Sequence, residues 1–150
     1  MITHPEFAAL RFADHLPPGA KLTEEDGYEW MNGIWHYQGI GFSWFGSAME
    51  EPGATTCLQL FADEVPAHVM ARIMNRLGLP LRFGMDRAAI EGVLGNVFRT
   101  QHFADDRITC EFLTPGPEHY YLDCTILHEG GSVAFSLLRG DLYERYRTDR

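Results

Sequence analysis

Cysteine is scarce. Cys57, Cys110 and Cys124 are the only three in 150 residues, an odd number with no C-x-x-C spacing. A disulfide framework is therefore not expected. Long apolar runs are missing too. No stretch approaches the uncharged length needed to span a bilayer. The opening M-I-T-H-P-E-F-A-A-L-R-F-A-D-H has His4, Glu6, Arg11 and Asp14 where a signal peptide needs an unbroken apolar run. The expected compartment is the cytoplasm, with no membrane partner. Positive charge is also short: 12 Lys and Arg against 21 Asp and Glu give a net charge of -9 and a pI near 5.1. Nucleic-acid phosphate would be repelled by such a surface. The same charge speeds encounter with a basic protein, or serves solubility alone.

Motifs that carry chemistry are lacking as well. The seven histidines form no H-x-x-x-H or H-E-x-x-H and no Cys/His pair at structural-zinc spacing. No metal or cofactor is expected. There is no G-x-S-x-G elbow, and Cys57 falls on a strand without a basic helix terminus to activate it. Gly39-Ile40-Gly41 has no third glycine and no following helix, so it reads as a bulged strand rather than a phosphate loop. Glu24-Glu25-Asp26, Glu50-Glu51 and Asp105-Asp106 are adjacent carboxylates in expected loops. Neighbours on an extended chain point apart, so these are solvated charge or receivers for a partner's Lys and Arg. No catalytic residue is expected.

What the chain does hold is enough for a core. Hydrophobic residues make up 45% and aromatics 13%, and a chain this long buries about two-thirds of its surface without staples. The expectation is one α+β domain over residues 1–150. Residues 5–15 read as a short helix with Phe7, Leu10 and Phe12 apolar, ended by Pro17-Pro18-Gly19. Lys21–Gly27 reads as a polar turn. Tyr28–Met31 and Ile34–Gln38 read as a hairpin around Asn32-Gly33. Tyr28, Trp30, Trp35, Tyr37, Phe42, Trp44 and Phe45 crowd this region, as core or as interface anchors. Thr55–Phe61 alternates as a strand. Val65, Val69, Ile73 and Leu77, widened by Met70 and Met74, form a helical stripe, with Asp63 as its cap, Pro66 in its first turn and Gly78 as its stop. Asp86 then caps a second helix with Ala89, Ile90, Val93 and Leu94 inward and Gly95 as its end.

The last third can be registered by arithmetic. A two-residue Gly130-Gly131 turn sets Ile126 opposite Phe135 and Cys124 opposite Leu137. The loop at Pro115-Gly116-Pro117 sets Cys110 near Cys124 and Phe112 near Leu122. Alternation then gives one buried face: Ile108, Cys110, Phe112, Leu122, Cys124, Ile126, Val133, Phe135 and Leu137. Cys110 and Cys124 read as small buried apolar residues, with a disulfide or metal pair as the alternative. The other face holds Thr109, Glu111, Tyr121, Asp123, Thr125, Ala134 and Ser136, solvated or made for a partner. The fold class is α+β, an antiparallel sheet with two consecutive helices packed on one face.

The segment Leu81-Arg82-Phe83-Gly84-Met85-Asp86, through Ile90, Leu94 and Gly95, is a Gly-Met turn opening a short helix that ends in Leu-Gly, with strands after it. Over residues 79–139 it resembles the helix–helix–sheet unit of the β-lactamase-inhibitor-protein-like and BamE-like domains. BamE-like proteins are lipoproteins, and the N-terminus here has no lipobox. The resemblance implies a protein-binding module that grips with its sheet face and loops.

Together these readings point to a small acidic non-enzymatic protein that binds another protein, as monomer or homodimer. The sharpest version is an immunity or inhibitor protein that occludes a basic toxin or enzyme. Its candidate partner-binding residues are Glu50, Glu51, Asp105, Asp106, Trp35, Trp44, Tyr121 and Asp123. The alternatives are a secretion chaperone for an effector and a small-ligand binder or enzyme using the Trp-rich sheet.

Overall fold

A computed structural model describes residues 1–18, 22–25, 31–37, 40–48 and 50–148. For 22–25, 31–37, 40–44 and 146–148 it is the backbone that is described. Eight strands form one antiparallel sheet in the order β1-β2-β3-β4-β8-β7-β6-β5. They are β1 (Leu22–Glu25), β2 (Met31–Tyr37), β3 (Ile40–Gly46), β4 (Cys57–Phe61), β5 (Arg99–Ala104), β6 (Arg107–Leu113), β7 (Tyr120–Leu127) and β8 (Gly131–Arg139). The helices are α1 (His4–Ala8), α2 (Ala67–Leu77), α3 (Arg87–Leu94) and α4 (Gly140–Thr148), with a 3-10 turn at Phe12–His15. The early and late strands meet where β4 pairs β8, with Leu58 opposite Leu137 and Leu60 opposite Phe135.

The core lies on one sheet face. Phe45, Leu58, Leu60, Cys110, Phe112, Leu122, Cys124, Ile126, Phe135 and Leu137 are buried there. They share one cluster with Val69, Met70, Ile73, Met74 and Leu77 of α2, Ile90 of α3, and Phe7, Leu10 and Phe12. Each fully buried side chain of this size contributes roughly 1.5–3 kcal/mol. The stripe expected on α2 is buried throughout, and Gly78 ends the helix in the left-handed region at φ 76°. Its start differs from expectation. Pro66 is the cap residue, with no side-chain bond. Asp63 lies three residues ahead, inside a turn where Glu64 and Val65 donate to the Phe61 carbonyl. In α3 the Asp86 carboxylate accepts from the Ala89 N–H at 2.8 Å, as a cap should. Ile90 is buried and Leu94 packs at the edge, but Ala89 and Val93 are exposed. One narrow seam suffices for so short a helix, and those two positions are turned about 60–100° from Ile90.

The β6–β7 register matches the arithmetic: Cys110 faces Cys124 and Phe112 faces Leu122. Both cysteines are buried thiols. The β7–β8 register is displaced by two residues, with Cys124 opposite Phe135 and Leu122 opposite Leu137. Leu127 pairs Gly131, so three residues rather than two make the turn, and an extra residue enters β8 at Val133. An even displacement keeps every side chain on its face. Val133 is the exception: at the bulge it is only half-buried, and Ser132 is buried in its place. That exchange has a cause. Gly84 N–H donates to the Ser132 carbonyl and Ser132 N–H to the Met85 carbonyl, both at 2.8 Å. The Ser132 hydroxyl donates to the Arg82 carbonyl and accepts from Met85 N–H. The Gly-Met turn is thus stitched to the head of β8. Gly131 permits the approach, since a Cβ there would lie 2.3 Å from the Gly84 carbonyl oxygen.

The first third departs furthest from expectation. The helix expected over 5–15 is split into α1, with a Thr3/Glu6 capping box, and the 3-10 turn. Leu22–Glu25 is a strand, not a turn. Asn32-Gly33 is not a hairpin turn. It lies inside β2, where Met31 faces Gly46 and Ile34 faces Trp44, so one extra residue is absorbed as a bulge. The hairpin closes instead between Tyr37 and Ile40. Asn-Gly tolerates positive φ at a bulge as readily as at a turn. A second irregularity falls at Ile40–Ser43, where the Gly39-Ile40-Gly41 reading expected a bulged strand.

Candidate functional site

The outer sheet face is not simply solvated. Five strands align Glu111, Asp123, Ser136, Gln59 and Trp44 in one cross-strand row. The C-terminal helix α4, which sequence periodicity did not reveal, reaches this face. Tyr143 stacks on Tyr121 with ring centroids 4.0 Å apart. Phe98 and His119 meet the same Tyr121 ring edge-on at 5.7 and 5.9 Å. Tyr143 also donates to Glu111 Oε1 at 3.4 Å, and Arg99 Nη2 donates to Glu111 Oε2 at 3.4 Å and to Tyr143 OH at 3.1 Å. The Glu111 side chain is only 4% exposed. Beside it, burial pushes the Asp123 carboxyl up to about 7, helped by a hydrogen bond to Glu111 and by its charge and opposed by Arg99. Two carboxylates and one guanidinium leave this spot short of positive charge.

Tyr121 and Asp123 are therefore brought together, with Phe98, Arg99, Glu111, His119, Tyr143 and Glu144 around them. Of these, the sequence could have yielded Glu111, because the register that pairs Cys110 with Cys124 also pairs Glu111 with Asp123. The others depend on where α4 and the β5 edge come to rest.

The remaining expected residues lie elsewhere. Glu51 is held by Arg139 at 2.8 Å, and Arg139, 9% exposed, also grips Asp141 with two bonds at 2.7 and 3.1 Å. Burial works against the Asp141 charge, yet Arg139 holds that carboxyl below its ordinary range. Glu50 sits 3.9 Å from Arg145. This acidic pair is engaged with the chain's own cations. His119 Nε2 lies 2.8 Å from Glu144, and His4 N–H donates to Glu118 at 2.6 Å, so α1, β7 and α4 are tied at this end of the sheet. Asp105 and Asp106 occupy the β5–β6 turn at the opposite end, separated from Glu51 by the length of β8, about 26 Å. Asp106 bonds Arg107 twice at 2.9 Å, which lowers its carboxyl. Asp105 has no partner among the described residues. Trp44 shares the row of Asp123, three strand spacings or about 14 Å away. Trp35 pairs Ser43, in the alternate row. Tyr28 and Trp30, and the side chains of Trp35, Tyr37, Phe42 and Trp44, lie outside what is described. Phe45 is core, edge-on to Phe12 at 5.8 Å.

Burial raises the Cys57 thiol to about 11, so it stays protonated at neutral pH. Among the described residues, no group of three or more His, Cys, Asp or Glu is placed to hold a metal ion. Among the same residues, no helix is long and apolar enough to cross a membrane. A shallow groove of about 430 Å³ runs over Phe61, Asp63, Arg107, Thr125, Leu127 and Val133, open to solvent. Compared with protein families, curated proteins and solved structures, the chain matches none of them.

Proposed function

We propose that this protein is a non-enzymatic binder of a basic protein, an inhibitor or immunity protein of the cytoplasm that acts by occlusion. The observation that carries this reading is the Glu111–Asp123 pair on the outer face, short of one cation and bordered by the Tyr121–Tyr143 stack. A guanidinium or ammonium inserted there would relieve the crowding of carboxylates, and the neighbouring rings suit a hot spot. Net charge of -9 would speed the encounter. The likeness of residues 79–139 to inhibitor-like units points the same way as a sequence likeness. Glu50 and Glu51 drop out as direct contacts, because Arg145 and Arg139 already engage them.

The test is a pull-down from the native host with tagged protein, followed by calorimetry on what is captured. A stoichiometric basic enzyme, inhibited on binding, is expected. Asp123→Asn and Tyr121→Ala should each weaken that complex about 10-fold or more, in line with the loss of a charge-assisted contact or an aromatic anchor. An undiminished affinity in both variants would remove the outer face from this reading.

A further inference from the structure

We infer that the groove between the 3-10 turn and α2 is a small-molecule site for an oxyanion, a carboxylate or a phosphate, that carries hydrogen-bond donors beside it. The groove measures about 270 Å³ and is lined by Leu10, Asp14, His15, Arg72, Asn75 and Arg76. That volume lies just below the usual range of ligand pockets and suits a metabolite of about ten non-hydrogen atoms. It sits on the helical side of the sheet, where α2 and Leu10 share the core cluster. A ligand there leaves the outer face uncovered, so this inference does not depend on the partner-binding reading.

Two features select the ligand. The first is unspent positive charge. Arg87, Arg99, Arg107, Arg139 and Arg145 each pair with a carboxylate of the chain. Arg72 and Arg76 pair with none among the described residues; Arg72 only donates to the His15 carbonyl, at 3.4 Å. One turn apart on α2, with Asn75 between them, they present their donors to the same groove. Two guanidiniums against the single carboxylate of Asp14 leave it locally positive in a chain of net charge -9, and such a pair favours an oxyanion. The second feature is His15, 8% exposed. Its Nδ1 lies 2.9 Å from the Arg11 carbonyl, which can only accept, so Nδ1 carries the proton and Nε2 is an acceptor. Nε2 has no partner among the described residues, and the ring lines the groove. Burial holds His15 below its ordinary pKa, with Arg76 acting the same way and the Arg11 carbonyl and Asp14 against it. The ring is therefore neutral at neutral pH. Nε2 and the Asp14 carboxylate both call for donors, which a bare anion does not bring.

Nuclear magnetic resonance of the ¹⁵N-labelled full chain is the test, near pH 7.5 and at fixed ionic strength, with L-glutamate and glycerol 3-phosphate as probes. The first brings carboxylates beside an ammonium, the second a phosphate beside hydroxyls, so the one that binds more tightly identifies the anion. Saturation at millimolar concentration is expected for at least one, with amide shifts around the groove and a shift of the His15 Nε2 resonance. Arg72→Gln and Arg76→Gln, at exposed helix positions, should each weaken that binding about 5-fold or more, while Arg87→Gln on α3 leaves it unchanged. Sulfate, an oxyanion without donors, should bind about 5-fold or more weakly than the better probe. Saturation by neither probe up to about 50 mM overturns the inference. So does binding that survives both arginine substitutions, or sulfate binding as tight as that of the better probe.

Discussion

Asp123 shows how one residue's surroundings set its charge. Its carboxyl is raised from an ordinary 3.8 to about 7 by burial and by Glu111 across the strand pair. Between those values the folded chain holds a proton that the unfolded chain has released. Stability from this group is therefore full below about pH 4 and falls as pH rises to about 7. Asparagine mimics the protonated form. Asp123→Asn should match the parent protein near pH 4 and exceed it at pH 8 by on the order of 1–2 kcal/mol, given partial solvent screening. Urea midpoints across pH 4–8 check this, and parallel curves for the two proteins would contradict it. Arg139 illustrates the opposite arrangement. Its guanidinium, 9% exposed, is shared between Glu51 and Asp141, so Glu51, read from sequence as open to a partner, serves the chain itself.

Among elements, the seam between the Gly-Met turn and β8 is the most constrained. Gly131 stands at φ 77°, and an added methyl would press on the Gly84 backbone at 2.3 Å. Gly131→Ala combines backbone strain with a clash against main chain that cannot rotate away. It should cost about 2–4 kcal/mol, read as a fall in thermal midpoint. The Gly-Met turn, the Asp86 cap and the alternation of β6 and β7 were all legible in the sequence, because each depends on a few neighbouring residues. Asn32-Gly33 read as a hairpin turn and is instead an irregularity inside β2. Whether such a place becomes a turn or a bulge depends on the partner strand. Here Gly46 and Trp44 of β3 oppose its flanks and absorb it within β2.

At the scale of the whole molecule, the β4–β8 pairing makes one sheet of what the sequence shows as two groups of strands. The three tryptophans lie in the first half, at Trp30, Trp35 and Trp44, and the Tyr121–Tyr143 stack in the second. Tryptophan fluorescence thus reports the first half, and the part of the tyrosine near-ultraviolet circular dichroism that Tyr143→Phe removes reports the second. Their denaturant transitions are expected to coincide within error. Two separated midpoints would show that β4–β8 couples the halves only weakly.

The sequence by itself determined part of the fold: the α2 stripe, the α3 cap, the shared face of Cys110, Phe112, Leu122 and Cys124, and the acidic balance. These follow from side-chain period, capping and turn chemistry, which act over a few residues. Tertiary structure alone decided that β4 meets β8, that α4 lays Tyr143 on Tyr121, and that Arg99 and Glu111 converge beside Asp123. No local pattern encodes which strand edges meet, and a nine-residue helix takes its place from the surface it finds. The acidic pairs show the difference most plainly. Glu50-Glu51 and Asp105-Asp106 read alike as sequence, and the fold sends them to opposite ends of the sheet, the first to Arg145 and Arg139 and the second to an exposed turn where Asp106 is held by Arg107.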